Sequence, residues 1–361
     1  MLSKNLRKYI FIALGIFVLS VSAYAKDYVV VKDKDDKKKE YASVKILDFT
    51  QTHIVFESEG NKIKEKWSDV LSWSIDPDFE KTEDFSLGMK KMKEANFRSA
   101  MGDYDKVLAN KSASEIEKHL SYYYIIYCGY FGNDRRNLGF KIIDLYAPQF
   151  QKAFPNSYFL KDAYDRWGLS RLQMRKPIEA KKIFEELKKY SQGLSFMRLA
   201  IMVYYDGDFE KAVPIFVKAV SNSEDDKYTK DFSSVMLASC YQRLQKWTEA
   251  KEILEKLTGD TDDSSNVEDV LGKAFLYLGT EYGRTGDYSK AFIALMKAYT
   301  VYKSNLQKNE VLDAYSYALI CANELAKQDE KWMNRAKVLD GEFKNIFDET
   351  AYEKRKTEFP K

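Results

Sequence analysis

With 361 residues, of which 45% are hydrophobic and 31% charged, the chain carries ample apolar material for a packed core; a wholly disordered protein is excluded and a disulfide scaffold is not required. Two histidines, His53 and His119, serve the whole length, which sets aside histidine-rich metal sites and most histidine general-base mechanisms. A formal charge of +3 gives no basic excess of the kind nucleic-acid binding requires.

Lys4, Arg7 and Lys8 precede an apolar run from Tyr9 to Val21, and Ala23-Tyr24-Ala25 supplies the small residues a signal peptidase accepts. Residues 1–25 are therefore expected to be a secretory signal peptide, cleaved before Lys26. The alternative is an uncleaved membrane anchor, although a run of ~13 residues falls short of the ~20 a spanning helix needs. No cysteine stands near the cleavage point to take a lipid, so a lipoprotein is not expected. Loss of the three cations leaves 55 basic residues against 55 acidic ones. The exported protein is then neutral, expected in the periplasm, with no nucleic-acid partner.

From Lys26 to about residue 76 the pattern is strand-like. Tyr28–Val31, Ala42–Phe49, His53–Phe56, Lys62–Trp67 and Val70–Ile75 are β-branched or alternating, and Glu59-Gly60-Asn61 is a hairpin signal. Five short strands predict a small, bent antiparallel sheet or barrel. The mixed-charge run Lys32–Glu40 reads as a solvated turn, and His53 as a partly exposed strand residue. The run VKILDFTQTHIVFESEGNKIKEKWSDVLSWSI resembles the Sm-like or SH3-like β modules that precede helical repeats in some secreted bacterial proteins.

After Asp76-Pro77 helical periodicity takes over to the C-terminus, and it repeats. Phe275, Leu278-Gly279, Tyr282, Gly286-Asp287, Ala291, Leu295 and Ala298 form the clearest copy. Looser copies are anchored on Ala100, Ala180, Ala212 and Ala250, a degenerate one spans Ser121–Tyr146 with Gly139 at the small position, and Asn309–Phe347 supplies a last, poorly matching pair. On these residues the chain resembles a tetratricopeptide-repeat protein. The resemblance implies a mainly α fold: an α-solenoid of six to seven helix pairs over residues 77–361, following a β-barrel-like domain over 26–76. Gly88, Gly168 and Gly279 are expected to let paired helices approach.

No nucleotide-binding glycine loop, zinc-protease helix, nucleophile elbow or C-x-x-C occurs, so no enzyme activity, cofactor or metal is expected. The acidic stretch Gly259–Ser265 lacks the glycine and bidentate glutamate of a calcium loop. Cys128, Cys240 and Cys321 sit in apolar helical patterns as buried hydrophobes, and His119 reads as a helix-surface residue.

Recognition remains. In the resembled family, peptide ligands lie along the face made by the first helices of successive pairs. The alignment places there Asp165, Leu169 and Leu172; Met197, Ile201, Tyr204 and Tyr205; Val235, Gln242 and Arg243; and Lys273, Leu276 and Arg284. The expected function is a non-enzymatic periplasmic adaptor or scaffold that binds another envelope protein or peptide there, with the β module as a second docking surface. The alternative is a structural envelope protein whose β module holds cell-wall polymer through Trp67 and Trp73, with the repeats as spacer or self-assembling element.

Overall fold

The computed structural model describes residues 27–32, 37–76, 81–259, 267–303, 309–347 and 349–359. The expected signal peptide, the middle of the Lys32–Glu40 run and the acidic residues after Gly259 lie outside them. The chain divides into two compact units, Met1–Ser191 and Gln192–Lys361.

The first unit opens with the five expected strands: β1 (Asp27–Lys32), β2 (Lys38–Phe49), β3 (His53–Ser58), β4 (Asn61–Lys66) and β5 (Val70–Ser74). They form one antiparallel sheet in the order β4-β3-β2-β1-β5. Register shifts in three of the four ladders bend it around Val29, Val31, Ile46, Phe49, Ile54 and Phe56, all nearly inaccessible. The β3–β4 hairpin turns on Glu59 and Gly60, both at positive φ, as the twist of a two-residue loop demands. One expectation is corrected: Lys38–Glu40 belong to β2, paired with Val30–Lys32, because the ladder extends past the apolar stretch that marked the strand.

Three helix pairs follow: α1 (Glu83–Lys93) with α2 (Phe97–Ala109), α3 (Glu115–Phe131) with α4 (Leu138–Ala153), and α5 (Leu160–Gln173) with α6 (Pro177–Leu187). The second unit holds four pairs: α7 (Gln192–Tyr205) with α8 (Phe209–Ser221), α9 (Lys227–Arg243) with α10 (Trp247–Gly259), α11 (Lys273–Arg284) with α12 (Tyr288–Tyr302), and α13 (Asn309–Ala326) with α14 (Glu330–Ile346). A π-helical segment, Val267–Gly272, leads into α11, and a further helix, α15 (Glu349–Glu358), follows α14. The helical part is a tetratricopeptide-like solenoid in its local build.

The repeat is written in the turns. Ala95, Arg175, Gly207, Gln245 and Gly286 each adopt a left-handed conformation directly after a first helix. Each turn closes with the same pair of hydrogen bonds, for example Gln245 N to Gln242 O (3.1 Å) and Lys246 N to Tyr241 O (2.8 Å). Five residues beyond each left-handed position stand Ala100, Ala180, Ala212, Ala250 and Ala291, every one fully buried. The turn fixes the angle at which the second helix returns, and the alanine is small enough to accept the contact. The pairs α3–α4 and α13–α14 lack this turn, which is why their sequences match poorly.

Three of the five turns place a side chain where glycine is the relaxed residue. Left-handed backbone costs an L-residue ~1–2 kcal/mol, partly offset by the chain entropy glycine loses on folding. Arg175→Gly and Gln245→Gly are each expected to stabilise the fold by about 0.5 kcal/mol, and Gly286→Ala, with open space around its missing Cβ, to destabilise it by about 1 kcal/mol. Thermal melts check both signs.

Candidate functional site

The sequence-predicted recognition residues divide between the two units. In the first, Asp165 is buried at 7% exposure, and Leu169 and Leu172 are half-buried on α5. In the second, Met197, Val235 and Leu276 are in the core and Ile201 packs at its edge. For Asp165, Met197, Val235 and Leu276 this corrects the expectation of an open face: all four are buried, so they serve the packing of the fold rather than a partner.

Arg284 needs a second correction. Its guanidinium binds Glu281 at 2.7 Å and lies 4.3 Å from the ring centre of Trp247 on α10, so its charge is spent on the joint between two successive pairs. Lys273 pairs with Glu310 at 3.3 Å, tying α11 to α13.

What stays available is a cluster spanning α7, α9 and α11. Tyr205 is 79% exposed, standing edge-on to Tyr204 at 5.5 Å. The Tyr204 hydroxyl is 2.8 Å from Ser239 Oγ, and the Tyr277 phenol bonds the same serine. Gln242 Nε2 donates to the Tyr277 carbonyl at 3.1 Å. Burial pushes the Tyr277 phenol up to about 12; Tyr204 and Tyr205 add to that and Arg243 opposes it, so all three lie within electrostatic reach of one hydroxyl. Arg243 is exposed and makes no ion pair among the described residues. The result is an exposed aromatic and an uncompensated cation above a hydrogen-bonded floor.

The first unit carries a half-buried aromatic cluster outside the repeat motif positions. Tyr127, Tyr130 and Phe131 of α3 surround the Arg166 guanidinium at 4.8, 5.6 and 4.9 Å, while Asp162 binds it at 2.9 Å and accepts the Tyr123 hydroxyl at 2.8 Å. The run SYYYIIYCGYF held the signal: Tyr123, Tyr127 and Phe131 recur every four residues on one helical face.

His119 is not on a helix surface; it is 2% exposed. Its Nε2 lies 2.6 Å from Ser157 Oγ, its Nδ1 is 3.9 Å from Asp48 of β2, and its ring stacks on Phe154 at 4.3 Å. His119 is covered by Phe49 of the sheet and by Phe154, Ser157 and Phe159 of the α4–α5 connection, a non-local burial that the polar neighbours Glu117 and Lys118 conceal. The trio has the residue types of a hydrolase triad. Yet Ser157 is also 2% exposed and its oxygen caps the Phe159 N–H at 3.1 Å, leaving no approach for a substrate. It is a joint: Thr50 bridges Ser157, Tyr158 N donates to Phe49 O, and Phe49 packs on Phe159 at 5.1 Å. Trp67 stacks on Tyr158 at 3.9 Å and Trp73 packs against Phe49 and Phe159. The tryptophans expected to offer a polymer platform are thus used to seat the sheet on the helices.

Cys128, Cys240 and Cys321 are free and buried, and burial pushes each thiol up to about 12. The folded protein is expected to react with a thiol-specific chromogenic reagent far more slowly than the chain unfolded in denaturant. Among the described residues no helix is long and apolar enough to cross a membrane.

Residues 233–260, most of the α9–α10 pair, match the family described as tetratricopeptide repeat. Among curated proteins no sequence matches. Among solved structures, the fold is similar to a signal-transduction ATPase with numerous domains bearing a tetratricopeptide-repeat sensor, from Pyrococcus horikoshii (14% identity, TM-score 0.53, 73% of this chain). The chain spans 43% of that protein's length. It is also similar to the apo form of the quorum sensor NprR from B. thuringiensis (13% identity, TM-score 0.51, 71% of this chain and 75% of that one).

Proposed function

We propose that the protein is an exported, non-enzymatic adaptor that binds a protein or peptide partner on the first-helix face of its repeats. Tetratricopeptide-like pairs present such a face by construction, since first helices line one side and second helices the other. The observation that carries the reading is the α7–α9–α11 cluster, where Tyr205 and Arg243 stand open over the Tyr204–Ser239–Tyr277 floor. Tyrosine and arginine supply much of the energy of protein interfaces, and an unpaired guanidinium suits a partner carboxylate. Export rests on the Lys4–Ala25 segment and implies an envelope partner.

Photo-crosslinking in the cell tests the surface. A photoreactive amino acid at position 205 or 243 is expected to capture a discrete partner; the same group at Ile293, 54% exposed on a second helix, is expected to capture little. Tyr205→Ala with Arg243→Ala is expected to weaken that partner's binding by roughly 10- to 100-fold, about 1.4–2.8 kcal/mol. Equal capture at all three positions would remove this face from consideration. Intact mass of the protein recovered from the periplasmic fraction reads the export: a chain beginning at Lys26 is expected, and a full-length cytoplasmic chain overturns it.

A further inference from the structure

The last described helix of the second unit packs along α13, rests on Phe343 of α14 and reaches α11 through Phe359. α15 is short and polar, with Glu353, Lys354, Lys356, Thr357 and Glu358 all exposed. Three side chains fasten it. Tyr352 packs on Phe343 at 5.5 Å and its hydroxyl accepts from Asn323 at 3.2 Å. Arg355 Nε binds Asp313 of α13 at 2.8 Å. Phe359, 5% exposed, lies 5.0 Å from the Tyr317 ring of α13 and rests against Gly283 of α11, where any Cβ would strike its ring. Phe359 therefore bridges two successive first helices, which a further repeat stacked at the end of the array would not do. The Tyr317 phenol is within electrostatic reach of both Arg355 and Arg243, so the tail and the open cation border one surface.

Tyr352, Arg355 and Phe359 stand at i, i+3 and i+7, the anchor spacing of a helical ligand laid in a groove. A helix this short is not stable alone in water, so its order derives from those anchors. We propose that the α11–α13 face is a binding site for a helical segment presenting an aromatic residue, an arginine three positions on and a phenylalanine four beyond that, and that residues 352–359 of the same chain occupy it until such a segment displaces them. The seat is specific. Gly283 makes the room for the phenylalanine ring, Asp313 receives the arginine, and Tyr317 walls the pocket between them. The inference rests on the first-helix face being the recognition surface, and it names the chemistry of one occupant.

The probe is a fluorescein-labelled peptide of residues 350–359, followed by anisotropy on the full chain. In the wild type the tethered tail competes at high effective concentration, and Phe359→Ala is expected to bind the peptide at least about ten-fold more tightly than wild type. Adding Gly283→Ala to Phe359→Ala, which fills the seat while favouring the bare helix, is expected to abolish that binding. Arg355→Ala, a milder release, is expected to fall between. Equal, negligible peptide binding by wild type and Phe359→Ala overturns the proposal. So does a Phe359→Ala chain that loses cooperative melting, because a segment the fold requires cannot be exchanged. The variants leave Tyr205 and Arg243 in place, so a failed peptide titration beside intact crosslinking at position 205 sinks this inference alone.

Discussion

A chain carrying Gly139→Val is expected to lose about 3 kcal/mol of stability and to melt roughly 6–12 °C below wild type. Gly129 of α3 and Gly139 of α4 cross backbone to backbone: a Cβ on Gly129 would come within 2.9 Å of the Gly139 carbonyl oxygen, and one on Gly139 would run into the Gly129 carbonyl. Where the obstacle is a flexible side chain, a rotamer change relieves it. Here the obstacle is main chain, so α3 and α4 must separate and give up the packing of Ile143, Phe140 and Ile126, all buried. Such a loss is a large fraction of the ~5–15 kcal/mol that holds a typical domain folded. The control is Gly102→Ala, on the exposed side of α2 with nothing within 4 Å, which is expected to stabilise by up to about 1 kcal/mol. Circular-dichroism melts of the two variants separate steric from conformational roles of glycine; equal effects would refute the crossing argument.

The second large effect is a loss of stability in mild acid that passes through His119. Burial lowers its pKa to about 4, against an ordinary value near 6.5, so the folded chain keeps the ring neutral where the unfolded chain protonates it. The groups around it explain this. Phe49, Phe150, Phe154 and Phe159 enclose the ring, Ser157 bonds one nitrogen, and the carboxylate of Asp48 stands 3.9 Å away with 53% of its side chain in solvent. The contribution is complete above pH 6.5. It falls by ~1.4 kcal/mol per pH unit as pH drops towards 4, about 3 kcal/mol in all. Denaturant melts of wild type and His119→Gln at pH 7 and pH 4.5 isolate it: carboxylate titrations are common to both, and the stability gap between the chains is expected to shrink in acid. A gap that stays constant would show that the histidine does not titrate differently on unfolding.

The burial of the same residue leaves no trace in the local sequence pattern. His119 follows Ile116-Glu117-Lys118, a pattern that looks solvated, and both Glu117 and His119 are buried because partners distant in sequence come to them. Glu117 accepts from Ser114 at its own helix start and from Thr82 at the start of α1. The strands were legible because alternation and the Glu59-Gly60 turn are local signals. The anchor alanines were legible because a packed crossing tolerates only a small residue. The left-handed turns at Ala95, Arg175 and Gln245 were not, since no glycine marks them.

The chain's own sequence determined the order of elements, the five strands, the paired helices and their small-residue contacts, all consequences of periodicity and side-chain size within a few dozen residues. Tertiary structure alone decided which face residues remain open. It buried Met197 and Asp165, paired Arg284 with Glu281, left Tyr205 and Arg243 exposed, and seated Phe359 on Gly283. The physical reason is that helical spacing fixes the direction of a side chain, while its availability depends on what a neighbouring helix, a salt-bridge partner or a returning tail has placed above it.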